Sequence, residues 1–415
     1  MKILYLDHYA GSPLHGMEYR PYYLSREWVR AGHAVRIVAA GYSHVRGKQP
    51  SIDGAAIAQR TTENIDGVQY IWYPTPPYQG NGVGRVLNIW EFLRQVWADA
   101  RRLVVESRPD VVIASSTYPL DIWVARRLSR LAKAKLVFEV HDLWPLSPIE
   151  LGGMSRRHPF ILLCQLAENT AYRNADIVVS MLPKVHDHMA AHGLDLRKLH
   201  IIPNGISPDD WQVEGQPLGG DLAAYIQAVK DHGHLLVGYA GAHGLPNALD
   251  ALLDAAKLLA DTPIRFVLVG DGHEKVRLRQ RVLDEGLNNV RMFAPIPKAQ
   301  IPALLRSIDV GYIGLKSEPL FRFGVSPNKL MDYMMAARPI IFSIQAGNDP
   351  VAEAACGLTV RAESPQAIAD GLLKLLRLSL EAREVMGLNG QAYVRIHHTY
   401  PVLAQKFLMI MKGEA

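Results

Sequence analysis

The 415-residue sequence contains only two cysteines, Cys164 and Cys356, and neither stands at a metal-site spacing. A disulfide framework and a thiolate metal centre are thereby excluded, and reduced thiols in a cytoplasmic protein are expected. No apolar run approaches the roughly 18 residues needed to span a membrane. The chain opens on a strand-like run at 2–6, not on a signal peptide. The expected location is the cytoplasm, either free or at the inner face of the cell membrane.

Several motifs are also missing. The loop after the first strand holds Gly11 and Gly16 but no G-x-G-x-x-G turn, and no Walker lysine motif occurs, which argues against an ATPase. No Asp-x-Asp is present, which argues against a diphosphate clamped by a metal on that motif. The histidines show no HExxH or other metal-ligand spacing. Strong charge of one sign is lacking too, since the formal net charge is +5. Residues 1–204 hold 24 Lys and Arg against 18 Asp and Glu, while the remainder holds 21 against 22. The basic first half suggests an anionic partner or surface, the alternative being random scatter.

What the chain does have is length and alternation. It is too long for one core, so two domains are expected. Apolar content of 49% and charged content of 20% are ordinary for a globular protein. In the first half, strands at 3–7, 35–40, 68–73, 110–115, 135–140, 176–181 and 199–203 alternate with helices, the pattern of a parallel sheet covered on both faces. Residues 41–67 read as loop-like. The first strand delivers His8, Gly16, Glu18 and Arg20 near its carboxyl end, where open α/β sheets bind ligands. Glu18 and Arg20 either face a ligand there or form an exposed pair. A long helix over 86–106 carries Trp90, Phe92, Trp97, Arg85, Arg94, Arg101 and Arg102. Such a helix either lies on a membrane surface or packs with solvated arginines. The strand at 135–140 runs into His141 and Asp142, again at a carboxyl end, where a histidine is functional or a core group satisfied by a carbonyl.

A polar linker at 207–221 follows, and the pattern restarts. Strands are expected at 235–240, 265–269, 290–294, 309–314, 340–343 and 358–361. Three glycine-bearing loops follow strands: Gly241 and Gly244, Gly270 and Gly272, and Gly324. The third leads into a helix. Ser326 suits its N-cap and Pro327 its first helical position, while Leu330, Met331, Met334 and Met335 give it a buried face. A glycine-led helix start is an anion site in waiting. Lys329 adds a full charge, and Asp332 shares its side with Asn328 and Lys329. Phosphate and ribose of a nucleotide could be held together there. The other reading is a capped core helix whose Lys and Asp pair in solvent.

His-Asp at 141–142, Pro-Asn-Gly at 203–205, Val-Gly-Asp-Gly at 269–272 and Ser-Pro-Asn-Lys-Leu-Met-Asp-Tyr-Met at 326–334, set in two Rossmann-like halves, together resemble the retaining GT-B glycosyltransferases of family 4. The resemblance covers essentially the whole chain. Residues 8–23 and 241–247 are most similar to the branch that builds bacterial O-antigen, capsule or exopolysaccharide, which includes fucosamine-type transferases. It implies an α/β GT-B fold with two Rossmann-like domains whose parallel sheets face across a cleft. Residues 1–206 would form the acceptor-side domain, with a helix at about 395–415 packing back on it, and 207–394 the nucleotide-sugar domain.

The implied activity is a retaining hexosyl or amino-sugar transfer from a nucleotide-diphosphate sugar, with UDP and an N-acetylated amino sugar the leading candidates. The acceptor would be a glycan or a polyprenyl-diphosphate-linked glycan in bacterial surface polysaccharide synthesis. No cofactor or bound metal and no nucleic acid are implied, and peripheral contact with an anionic membrane fits the basic first half. His141 matches the family's histidine at the transferred sugar, with Asp142 beside it as a second catalytic candidate. Gly16 matches the glycine loop near the donor phosphate. Ser326, Asn328 and Lys329 match the phosphate-binding helix start, and Asp332 matches the second acid of E-x7-E, on the ribose. Gly241, His243, Gly244, Asn247, Gly270, Gly272 and Arg322 complete the donor side, and His8, Glu18 and Arg20 the acceptor side. Two departures stand out. Gly324 occupies the position of the first acid, with Glu318 nearby but out of register. His243 and Asn247 lie in the loop where many members carry Arg and Lys. A sugar-nucleotide epimerase and a non-catalytic nucleotide-sugar-binding protein are the rival readings.

Overall fold

A computed structural model describes residues 1–52, 54–80, 82–212 and 216–414. The chain divides into two compact units, Met1–Asn204 with Tyr400–Ala415, and Gly205–Thr399.

The first unit is built on β1 (Lys2–Leu6), β2 (Ala34–Ala40), the short hairpin β3 (Ser51–Ile52) and β4 (Ala55–Ala56), β5 (Thr61–Ile65), β6 (Val68–Tyr73), β7 (Val111–Ala114), β8 (Lys135–Val140), β9 (Ile177–Ser180) and β10 (Leu199–Ile201). Its main sheet has the order β10-β9-β8-β7-β1-β2-β6-β5, parallel throughout except that β5 runs antiparallel to β6 at the edge. The strand order reverses at β1, so the space above the carboxyl ends of β1 and β7 is the switch point where such sheets take ligands. Central strands read as unbroken apolar runs because both faces are covered: Val111, Val112, Ile113 and Ala114 are all buried.

The helix Arg20–Arg30 follows β1 and buries Trp28. The terminal helix Tyr400–Lys412 lies against it. Tyr23 stacks on Tyr400 at 4.8 Å, Phe407 meets the Trp28 ring edge-on at 5.3 Å, and the Trp28 indole N–H donates to the Ala404 carbonyl at 3.0 Å.

The second unit has β11 (Leu235–Ala240), β12 (Ile264–Val269), β13 (Val290–Phe293), β14 (Val310–Gly314), β15 (Ile340–Ser343) and β16 (Gly357–Thr359). All pair in parallel, in the order β13-β12-β11-β14-β15-β16. Its switch point lies above β11 and β14. The two-domain, parallel α/β architecture expected from the sequence is present.

Three local expectations need correction. The 86–106 helix is two, Val83–Ala98 and Ala100–Ser107. Asp99 between them is tied sideways, accepting from the Tyr73 hydroxyl at 2.6 Å and pairing with Arg60 at 3.2 Å. The 41–67 stretch carries β3, β4 and β5. The polar linker holds the helices Asp209–Gln212 and the start of Gly220–Asp231, with Trp211 buried in the core of the second unit; residues 213–215 of that linker lie outside the described residues.

Candidate functional site

In the first unit, the switch point gathers buried polar groups. Glu139 points from the end of β8 into the interior and is fully buried. Its carboxylate receives the Arg20 guanidinium through Nε at 3.0 Å and Nη2 at 2.8 Å, the Ser115 hydroxyl at 2.6 Å, and the Tyr5 hydroxyl. Burial alone would raise its pKa, but the charge of Arg20 and the contacts with His141 and Ser115 outweigh that and hold it well below the usual carboxylate range. Arg20 also donates to the carbonyls of Pro203 at 2.6 Å and Ile202 at 2.9 Å. Arg20 is therefore an internal strut, neither facing a ligand nor pairing with Glu18, because the nearest buried carboxylate claims it.

His141 stands above this strut. Its Nε2 lies 2.8 Å from the Ser115 oxygen and 3.6 Å from Glu139. The single Ser115 proton is committed to Glu139, so Ser115 accepts from the His141 Nε2–H. Burial lowers the imidazole pKa, yet the Glu139 contact and charge, with Asp7, raise it overall. The ring is thus held protonated on Nε2, with Nδ1 turned away from this chain of bonds. Asp142 is exposed beside it. Glu18, half-buried, has its pKa raised by burial, with the charges of His141, Asp142 and Arg20 acting on it. Glu18 thus lies in the same electrostatic neighbourhood as His141 and Asp142.

His8 is fully buried and bonds through Nδ1 to the Tyr118 hydroxyl at 2.7 Å. Gly16 adopts φ +99°, and its amide closes the loop on the Ser12 carbonyl at 2.7 Å. Two buried carboxyls here were not singled out from the sequence. Asp7 and Asp121 are both pushed up to about 7, chiefly by burial. Tyr5 and Glu139 sit within apolar strand runs and Ser115 directly follows one, so no local pattern hints at their shared interior network.

In the second unit, two glycine loops interlock. A Cβ on Gly270 (φ +155°) would stand 1.9 Å from the Gly241 carbonyl, and one on Gly272 (φ +156°) 2.4 Å from the His243 carbonyl. Only glycine permits this approach. Lys275 braces the arrangement, donating to the carbonyls of Gly270 at 2.6 Å and Phe293 at 3.1 Å. His243 is fully buried between the loops, and neither ring nitrogen has a hydrogen-bond partner. Burial, with Lys275 and Lys329 nearby, lowers its pKa to about 4, so the ring is neutral at pH 7. Its two unpartnered nitrogens offer one donor and one acceptor.

Lys329 projects from the first turn of the helix Asn328–Met335. Its ammonium lies over the Tyr239 ring, 4.7 Å from the centroid, donating to the Tyr239 hydroxyl at 2.9 Å and to Asn247. Asn247 in turn donates to the Ala242 carbonyl at 3.0 Å, which also receives the Tyr239 hydroxyl. No carboxylate pairs with Lys329 among the described residues. Burial lowers its pKa to about 8. The Lys–Asp pair in solvent does not form: Asp332 sits instead among Trp211, Asp210 and Lys298, its pKa raised to about 7 chiefly by burial.

The helix start also differs from expectation. Pro327 is the N-cap and the helix begins at Asn328, so Ser326 precedes the cap. The cause is Asn348, whose side-chain amide accepts from the Val325 N–H at 2.8 Å and donates to its carbonyl at 3.0 Å, holding the entering chain extended. Asn328 is exposed at the first turn. Gly324 has φ +97°, a conformation an acid would adopt only with strain; that accounts physically for a glycine at this position. Arg322 is exposed, lies over the Phe323 ring at 4.3 Å and donates to the Pro319 carbonyl at 2.6 Å. Gly244 starts the turn that carries Asn247.

These two switch-point sites on parallel α/β units define a class, and comparison with known proteins gives the same one. Residues 15–205 match the glycosyl transferase 4-like domain, and residues 234–378 match the group 1 glycosyl transferases. The chain is a glycosyltransferase of the GT-B fold. Among curated relatives, it is 24% identical over 306 residues to the glycosyltransferase WbjE of Pseudomonas aeruginosa, covering 71% of this chain and 74% of that one. It is 23% identical over 372 residues to the colanic acid biosynthesis glycosyl transferase WcaI of Escherichia coli, covering 85% and 86%. Sucrose-phosphate synthase from Thermosynechococcus elongatus superimposes with a TM-score of 0.73 at 16% identity, covering 100% of this chain and 99% of that one. HepE of Anabaena, solved with UDP and glucose, superimposes with a TM-score of 0.66 at 16% identity over the whole of both chains.

Proposed function

We propose that the protein transfers a sugar from a UDP-sugar, with retention of configuration and without a bound metal, to a glycan or polyprenyl-diphosphate-linked acceptor in bacterial surface polysaccharide synthesis. The observation that carries the donor assignment is Lys329, a half-buried ammonium with no carboxylate partner among the described residues, held by Tyr239 and Asn247 at a helix start beside the interlocked glycine loops. A fixed cation at a helix start is suited to a diphosphate. The unpartnered His243 nitrogens add neutral hydrogen bonding in the same loop pair, and Asp332 takes the ribose. WbjE, WcaI and the UDP-bound HepE support the substrate class.

In the proposed reaction the anomeric carbon–phosphate oxygen bond breaks as the acceptor oxygen bonds to that carbon on the same face. The acceptor proton passes to the departing diphosphate oxygen. No side chain then acts as a strong base, which accords with a His141 held protonated by Ser115 and Glu139. His141 orients the sugar and steadies its charge. The acceptor side comprises His8 and Glu18, with an amino sugar among the candidate transferred groups.

Membrane contact is proposed through Val83, Leu87 and Trp90, all exposed on the helix Val83–Ala98. Trp97 is exposed as well, with the Arg127 guanidinium over one face of its ring at 4.5 Å. No helix among the described residues is long and apolar enough to cross a membrane.

The test is a thermal-shift panel of nucleotide sugars followed by turnover. UDP-sugars should stabilise the protein, by about 2.7 kcal/mol at a ligand concentration a hundred times Kd. His141→Ala should cut turnover at least a hundredfold while leaving UDP binding within about twofold. Parallel loss of both would make His141 structural, and isomerisation of the donor without acceptor would favour an epimerase.

A further inference from the structure

The first unit holds a group of side chains that the transfer reaction leaves unused. Among the described residues, Glu168, His188 and His192 bring one ligand atom each to within 4.8 Å of one another. His188 and His192 are one helical turn apart, on and just beyond the short helix His186–Ala191 that follows β9. Glu168 comes from the neighbouring helix Pro159–Asn174 and is buried. The i, i+4 histidine pair acquires meaning as a ligand set only when a second helix adds the carboxylate.

The supporting bonds are those a metal site needs. His192 Nδ1 donates to the His188 carbonyl at 2.8 Å, which fixes the tautomer and leaves Nε2 with its lone pair. The Glu168 carboxylate is oriented by the Tyr172 hydroxyl at 2.9 Å and the Gln165 amide at 2.7 Å. His188 Nε2 already lies 3.3 Å from Glu168 Oε1. Bonds of about 2.0–2.2 Å in a tetrahedral site put ligand atoms roughly 3.4 Å apart. The Glu168–His188 pair already has that spacing, and the three ligand atoms lie within 4.8 Å of one another. Both histidines are half-buried and retain some solvent contact, the His188 side chain being 12% exposed, which gives an ion a path from solvent.

We propose that Glu168, His188 and His192 form a binding site for one divalent transition metal, with zinc the best match to two imidazoles and a carboxylate, and a fourth position for water. The site ties the helix before β9 to the helix after it. It is independent of the donor site and of the proposed transfer, and it supplies no group to that reaction.

The test uses the full-length chain, free of any affinity tag and stripped with EDTA. Zinc alone is titrated against a chromogenic chelator, and cobalt is added separately for its visible absorption. One equivalent of zinc should bind, and cobalt should give the intense visible bands of a tetrahedral site. His192→Ala and, as a size-preserving second variant, His192→Gln should weaken zinc at least tenfold and abolish the cobalt bands, with unchanged far-ultraviolet circular dichroism. Glu168→Gln should do the same for zinc. The proposal fails if the wild-type chain takes up no stoichiometric zinc, or if both His192 variants bind it as tightly as wild type.

Discussion

Lys329 shows how one residue's surroundings set its chemistry. Taking an ammonium out of water without a counter-ion lowers its pKa to about 8, and a diphosphate would restore the missing charge. Because deprotonation removes the attraction, UDP affinity should decline as pH rises through about 8. Lys329→Met should lower affinity at pH 7 by tenfold or more and flatten that pH dependence; calorimetric titrations at pH 7 and 9 check both. Asp121 illustrates the opposite sign. Burial raises its folded pKa to about 7, above the ordinary unfolded value near 4. The stability it allows is fully present below pH 4 and is lost as pH climbs through 7. Asp121→Asn should therefore gain on wild type between pH 5 and pH 8, as read from urea unfolding at each pH. The Ser116 N–H bond to this carboxyl, 3.0 Å long, can be kept by the asparagine oxygen.

At the scale of elements, the interlocked loops after β11 and β12 depend on glycine for space as much as for backbone freedom. Gly270→Ala would drive its methyl into the Gly241 carbonyl, 1.9 Å away, at φ +155°. Strain of about 1–3 kcal/mol from the backbone alone is expected, with the clash added, so the second unit should lose more than that. Gly233→Ala is the control: its φ is +66° but nothing lies within 4 Å of the new methyl, so only about 1–2 kcal/mol should be lost. Chemical unfolding of both variants separates the two effects. Elements were largely legible in sequence where apolar runs were continuous. β1, β2, β8 and β12 fall within a residue or two of their expected bounds. The break at Asp99 and the N-cap at Pro327 were not legible, because Tyr73, Arg60 and Asn348, which impose them, are distant in sequence.

For the whole molecule, the notable feature is the return of the chain to its first unit. Tyr400, Leu403, Phe407, Leu408, Ile410 and Met411 all bury against the interior built by Trp28 and its neighbours. Phe407→Ala should destabilise that unit by about 3–5 kcal/mol in equilibrium unfolding. A loss under 1 kcal/mol would mean the terminal helix is dispensable.

The sequence by itself determined the two parallel α/β units, because a strand buried on both faces must be apolar along its length, and short apolar runs bounded by turn residues and alternating with helical stretches reveal it. It also placed His141, Lys329 and the glycine loops at strand ends, since chain order dictates which residues follow a strand. Only the tertiary structure decided how those residues are charged and oriented. Arg20 became a strut for Glu139, His141 was tied through Ser115, and Lys329 was turned to Tyr239 and away from Asp332. Those outcomes depend on which buried partner lies nearest in space, and burial strengthens the electrostatics of whichever pair results. Contacts between residues as far apart as 20 and 139 are not encoded in any local pattern.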